Sequence, residues 1–394
     1  MTTGGRPQIA AYVVAALLAA GCTDDASVDG RSTEPAIQHA VTVAPEAGEL
    51  RIRLEESFGL HAHLVAEADR TSGRAGRAAA AALEQSAEEV VRAVADAADG
   101  GDAATARLEQ TWATYAAGVE GSPSRRSDRQ RARAARRLAA ALSQVTDRLE
   151  QQGVERLLRA PLDKLARHAR SFAQRDHEQA YALEREAYAE MVTLGGAVAA
   201  GVAEDDPRRF PGPRSTGALE LRSALRQILG EHALLTATAT RRGMTASREF
   251  ASATAALNGN TADLGNALRS FYRDAPAFEA QWRDRISVLA EYAAAVGDDR
   301  NRAARRARRQ TRHEHRRIGG ILERLSAGEV AEVDGVRAVR QLDTALLHQI
   351  DAFGGERFEQ AERNKVQAYE AALELADLIA AAAAEQKPED FPTE

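Results

Sequence analysis

Apolar side chains recur at intervals of three and four along most of the chain, as at Leu219, Leu221, Leu225, Ile228 and Leu235. That spacing marks one face of an α-helix. No stretch alternates apolar and polar residues over the length of a strand. The pattern predicts six helices near 46–70, 75–99, 103–120, 127–152, 154–175 and 177–204. Six more follow near 218–241, 246–273 with a break at Gly259, 275–297, 300–326, 330–353 and 356–385. Breakers such as Gly100-Gly101, Gly153 and Gly354-Gly355 leave only short connections. Short connections force antiparallel neighbours and therefore bundles.

The two sets of six are copies. Residues 50–70 and 221–241 share ten identities in 21 positions at a constant offset of 171, including Leu54/Leu225, Gly59/Gly230 and His61/His232. The only tryptophans, Trp112 and Trp282, follow at an offset of 170, and Tyr188 and Tyr369 at 181. Small drifts of this kind are what loop insertions produce in a duplicated unit. Pro207, Pro211 and Pro213 fall between the copies and end any helix there. The expected fold is all-α, two tandem antiparallel bundles of about six helices each: repeat 1 over 46–204, a proline-rich linker over 205–216 and repeat 2 over 217–390.

Composition agrees with helix and bounds the partners. Aromatic residues make up 5% of the chain and the formal net charge is -6. Arg6 is the only charge in the first 21 residues, so without them 51 basic residues face 58 acidic ones, or -7. A mildly acidic body of this kind is no nucleic-acid binder. Cys22 is the only cysteine, and it follows Leu18-Ala19-Ala20-Gly21 at the end of an apolar run from Ile9 to Ala20. Twelve apolar residues are too few to span a bilayer. The segment resembles the lipobox of bacterial lipoprotein signals, with small residues before the acyl-accepting thiol. The expectations are a signal peptide over 1–21, lipidation (palmitate included) at Cys22, a flexible tether over 22–45, and anchoring to the cell envelope. Thr23, rather than Asp, after the cysteine favours an outer membrane where the cell has one.

Candidate chemistry is sparse. The sequence holds no GxSxG, GxGxxG, Walker A or HExxH motif, and no histidine has a Glu three residues before it. No acid/base pair stands out among the many carboxylates. His61 and His232 lie on the core-facing stripes of their first helices, either as satisfied structural imidazoles or as ligands of a transition metal or small molecule. Trp112 and Trp282 read as core anchors. Seven arginines crowd residues 125–137 and nine crowd 300–317. Arg302, Arg305, Arg309, Arg312 and Arg316 share one helical face, as do Arg126, Arg129, Arg133 and Arg136. Such faces either pair with acidic neighbours or meet anionic lipid head groups or an envelope polyanion.

The phrases LRSALRQILGEHALL, ALNGNTADLGNALRSFY, FEAQWRDRISVLAEY and YALEREAYAEM resemble a family of bacterial exported all-helical tandem-repeat proteins, often labelled copper amine oxidase-like. The resemblance covers nearly the whole mature chain. It implies repeat histidines three residues after the Trp, in a later helix and beside the distal Met. Here those places hold Tyr115 and Arg285, Pro161 and Leu342, and Glu190 and Ala371. A divergent member that has lost such a metal site is therefore expected. No Asn-Tyr-Asp/Glu sequence exists for making a quinone from tyrosine. The expected role is a non-enzymatic envelope lipoprotein acting as a helical binding or structural module, with no cofactor. The alternative is a metal- or small-ligand-binding exported protein that uses His61 and His232.

Overall fold

The computed structural model describes residues 46–98, 102–116, 128–213, 215–272 and 274–388. All regular structure among them is helical. The first repeat contains α1 (Glu46–Arg70), α2 (Gly73–Ala97), α3 (Asp102–Ala116), α4 (Asp128–Leu142), α5 (Gln151–Ala173) and α6 (His177–Asp205). The second contains α7 (Gly217–Met244), α8 (Phe250–Arg269), α9 (Ala275–Gly297), α10 (Asn301–Leu325), α11 (Glu332–Gly354) and α12 (Phe358–Gln386). In both, the first helix packs along the sixth and beside the second, and each later helix packs on its neighbour in sequence. The fold is two like six-helix bundles.

The helix ends show why the pattern works. Thr216 and Asp176 cap α7 and α6 by accepting from Leu219 N (3.1 Å) and Gln179 N (3.2 Å). The turn between α5 and α6 puts Arg175 at φ 64°, and the turn between α11 and α12 puts Glu356 at φ 55°. Each repeats one closure: Asp176 N donates to Ser171 O (2.9 Å) and Arg357 N to Ala352 O (2.8 Å), five residues back. Three further turns, at Ala246, Asp299 and Ala327, use the same closure. A left-handed residue after the helix lets its last carbonyls find partners. The position is usually glycine, yet here the adjacent Gly354 and Gly355 are not the left-handed residues. Gly259 breaks nothing: α8 runs through it from Phe250 to Arg269. The helix expected over 127–152 ends at Leu142.

Each repeat has its own apolar core, and the cores interlock. Tyr181 of α6 belongs to the second core, while Leu234, Tyr369 and Leu373 of α7 and α12 belong to the first. Phe210 of the linker is buried in the first core, and Arg209 donates to Ala97 O (3.2 Å) and Asp96 O (2.6 Å) at the end of α2. The seam between repeats is reciprocal. Arg51 pairs with Glu220 at 2.5 Å and Arg222 with Glu49 at 2.5 Å, and both residues of the second pair stand 171 from their counterparts. The equivalent Tyr188 and Tyr369 hydroxyls meet at 3.4 Å, and Tyr369 also donates to Glu56 O at 3.1 Å. Gly230 admits this ring, since a Cβ there would lie 2.6 Å from Tyr369 Cε2. Such reciprocity belongs to isologous interfaces, here realised within one chain.

Candidate functional site

His232 is fully buried on α7, because it falls on the stripe Leu225, Leu229, His232, Leu235. Asn260 of α8 donates through Nδ2 to Ile228 O (3.0 Å) and Glu231 Oε2 (2.7 Å), which turns its Oδ1 toward His232 Nδ1 at 3.0 Å. His232 must therefore donate from Nδ1, leaving Nε2 to accept from Trp282 Nε1 at 3.0 Å. Both ring nitrogens are consumed. Arg185 of α6 completes the chain outward through Glu231, at 3.1 and 2.9 Å. Burial, helped by the nearby Arg285 charge, pushes the imidazole down to about 3, so it stays neutral.

His61 holds the matching place in the first repeat with different partners. Its ring lies 5.3 Å from Trp112, as His232 lies 5.3 Å from Trp282. Among the described residues neither its ring nitrogens nor Trp112 Nε1 has a hydrogen-bond partner. Burial alone pushes it down to about 4. The residue 170 before Asn260 is Val90, which is apolar and buried. Among the described residues His232 thus makes two hydrogen bonds and is the satisfied structural imidazole expected, whereas His61 makes none. The two histidines sit in separate bundles and do not share a site.

Trp282 stacks on Phe278 (5.3 Å) and carries the Arg285 guanidinium 4.3 Å over its ring. Arg285 donates from Nε to Asp343 Oδ1 at 2.7 Å, and Asp343 Oδ2 lies 2.8 Å from His315 Nε2. Burial would raise Asp343, but Arg285 and His315 outweigh it and hold it below the usual carboxylate range. This buried triad was missed in the sequence. Its signal was legible: Arg285 continues the stripe Phe278, Trp282, Leu289, and Asp343 the stripe Val339, Leu346, Ile350. Charges on apolar stripes announce buried pairs.

A second missed cluster lies in the seam. Glu67 of α1 is met by Arg70 (3.2 Å), Arg241 of α7 (3.3 Å) and Lys365 of α12 (3.8 Å). Glu362 pairs with Arg241 (2.7 Å) and Lys365 (2.6 Å), while Glu184 of α6 takes Arg70 and, at 2.9 Å, His63 Nδ1. With Arg242, which lies 3.9 Å from Glu67 and 3.1 Å from Glu249, the buried Glu67, Glu184, Glu249 and Glu362 face Arg70, Arg241, Arg242 and Lys365, a neutral sum. Burial opposes ionisation of Glu184, but Arg70 and His63 hold it down to about 2. Lys365 stands 181 after Glu184, so the equivalent positions carry opposite charges.

The arginine faces differ. Arg302, Arg305, Arg309, Arg312 and Arg316 of α10 are all exposed, and none makes an ion pair among the described residues. On α4, Arg136 pairs with Glu155 at 3.4 Å and Arg131 is buried against Asp163 at 3.5 Å. Arg126 and Cys22 lie outside the described residues.

Inside the bundles little room remains. The cavity beside Thr240, Phe250, Ile286 and Ala293 is about 20 Å³, roughly one water. Among the described residues no three His, Cys, Asp or Glu side chains gather as a metal would require, and no helix is long and apolar enough to cross a membrane. Compared with known proteins, the chain matches no family model, no curated protein and no solved structure.

Proposed function

We propose that this chain is a non-enzymatic, lipid-anchored envelope protein whose paired bundles form a rigid binding or structural module, a divergent relative of the exported tandem-repeat family it resembles. The observation that carries this reading is the consumption of the second bundle's buried chemistry by internal pairing. Both His232 nitrogens are bonded, and Arg285, Asp343 and His315 answer one another. Groups so satisfied stabilise a unique packing and leave no acid, base or nucleophile free for a substrate. The Cys22 thiol after its apolar run supports anchoring by acyl chains.

A second reading, small-ligand or metal binding at His61, has one observation in its favour: both ring nitrogens there are unpartnered among the described residues.

The anchor is tested by Cys22→Ser. The variant is expected to leave the detergent phase or to accumulate as unprocessed precursor, and to take up no labelled palmitate. Normal processing with unchanged partitioning and labelling would overturn it.

A further inference from the structure

We infer that the exposed arginine row of α10 is a docking face for the anionic phospholipid head groups of the membrane that carries the anchor; this rests on the lipid-anchor reading above. From Arg302 to Arg316 the row runs about 21 Å along the helix at about 1.5 Å per residue. Its spacing of three and four keeps the guanidinium groups on one side. The opposite side is the buried stripe Ala307, Thr311, His315, Ile318 and Leu322, so α10 is held to the bundle and cannot roll the arginines inward.

The charge on this face is unbalanced. The only acid in residues 301–317 is Glu314, which is buried and bonded to Gln281. Of the acids beside this helix, Asp351 of α11 lies 3.6 Å from Arg308 and Asp298 pairs with Arg300 at 3.1 Å, while Asp284 and Glu291 of α9 are exposed and form no ion pair with the row among the described residues. Some half-buried arginines elsewhere are paired, as Arg222 with Glu49 and Asp377, and Arg283 with Glu279. Like charges three and four apart weaken a helix. A row of five that forms no ion pair among the described residues therefore costs stability, and a plane of phosphates would offset it.

Chain length permits the contact. Residues 22–45 have a contour of about 80 Å at about 3.3 Å per residue, and a compact body of this size has a radius of gyration near 20 Å. An anchored chain would keep the row at high effective concentration next to one bilayer. A straight row suits a flat anionic plane, and each guanidinium can bind a phosphate through two N–H groups. These features favour lipid over a soluble polyanion.

The test uses the purified full chain and flotation with phosphatidylcholine vesicles, with and without about one-third phosphatidylglycerol, at low and high salt. Binding to neutral vesicles reports the N-terminal segment, and Cys22→Ser tests that part. The docking face is read only from the gain on adding phosphatidylglycerol, so either idea can fail without the other. At about fivefold per basic residue near an anionic leaflet, exchanging all five arginines for Gln should cut the low-salt gain by on the order of a thousandfold. The same five exchanged for Lys should keep most of it, which separates charge from any effect on folding. High salt should abolish the gain in the unmodified chain. No salt-sensitive gain in the unmodified chain, a gain that survives the Gln exchange, or tighter binding to soluble dextran sulfate than to anionic vesicles would each overturn the proposal.

Discussion

At the centre of the first bundle Trp112 packs against Phe58, His61 and Tyr115, and the Tyr115 hydroxyl donates to Leu158 O at 3.1 Å. At the centre of the second, Trp282 packs against Phe278 and His232 beneath Arg285, which is tied to Asp343. Matched through the repeat offsets of 170 and 181, and through the offset of 180 that superposes the buried positions of α4 on those of α10, Arg285, Asp343 and His315 stand where the first repeat has Tyr115, Leu162 and Ala135. All six are buried. The helix plan is shared, but the polar groups were exchanged as a set. A lone Asp or Arg in either core would be an uncompensated charge, so only complete sets are tolerated. His61 is the exception: it kept its imidazole where the position of Asn260 became Val90.

The sharpest way to break this comparison is to open the triad. Asp343→Ala should leave Arg285 buried without its carboxylate and cost about 3–5 kcal/mol in urea unfolding. The double variant Arg285→Met/Asp343→Leu removes both charges and should be near neutral or stabilising. A double variant as unstable as the single would show that the triad is more than a balanced pair.

Acid offers a smaller test. His61 and His232 are pushed by burial from 6.5 to about 4 and about 3. Below pH 6.5 the unfolded chain takes up these protons and the folded chain does not, so stability falls as pH falls. The two should together lose roughly 2 kcal/mol between about pH 6.5 and 5.5. Glu184 adds a second loss below its ordinary value of 4.5, continuing down to about 2, since its depressed folded value again leaves the unfolded chain holding more protons. Urea midpoints at both pH values check the first window, and an unchanged slope in His61→Leu/His232→Leu would refute the assignment.

The smallest effect separates the histidines themselves. His232→Leu strands the Trp282 N–H and the Asn260 carbonyl and should cost about 1–3 kcal/mol. His61→Leu breaks no hydrogen bond and should stay within about 1 kcal/mol or stabilise. Metal content of untagged protein should be the same in both variants as in the unmodified chain. Equal losses of stability would show that His61 has a partner of its own, and a stoichiometric metal lost on His61→Leu would favour the ligand-binding reading.

Much of this architecture was legible in the residues. Spacing of three and four placed twelve helices, and the identities His61/His232, Trp112/Trp282 and Tyr188/Tyr369 exposed the duplication, because a helix must present one apolar stripe and a copied stripe keeps its register. The turns were less legible. α8 runs through Gly259, an expected break, and although α11 does end at Gly354-Gly355 as expected, the left-handed residue of that turn is Glu356. Hydrogen bonds of the last turn decide that, and local composition does not record them.

Helix periodicity and the repeat are properties of the chain taken a few residues at a time, so sequence alone determined them. Which charge meets which is set by residues far apart. Glu67 is joined to Lys365, Arg285 to Asp343, and Arg185 to Glu231, across 298, 58 and 46 positions of sequence. A carboxylate on an apolar stripe requires a cation, but only the packing of α1, α6, α7, α9, α11 and α12 selects it, because the desolvation penalty is repaid only by a partner within hydrogen-bonding reach.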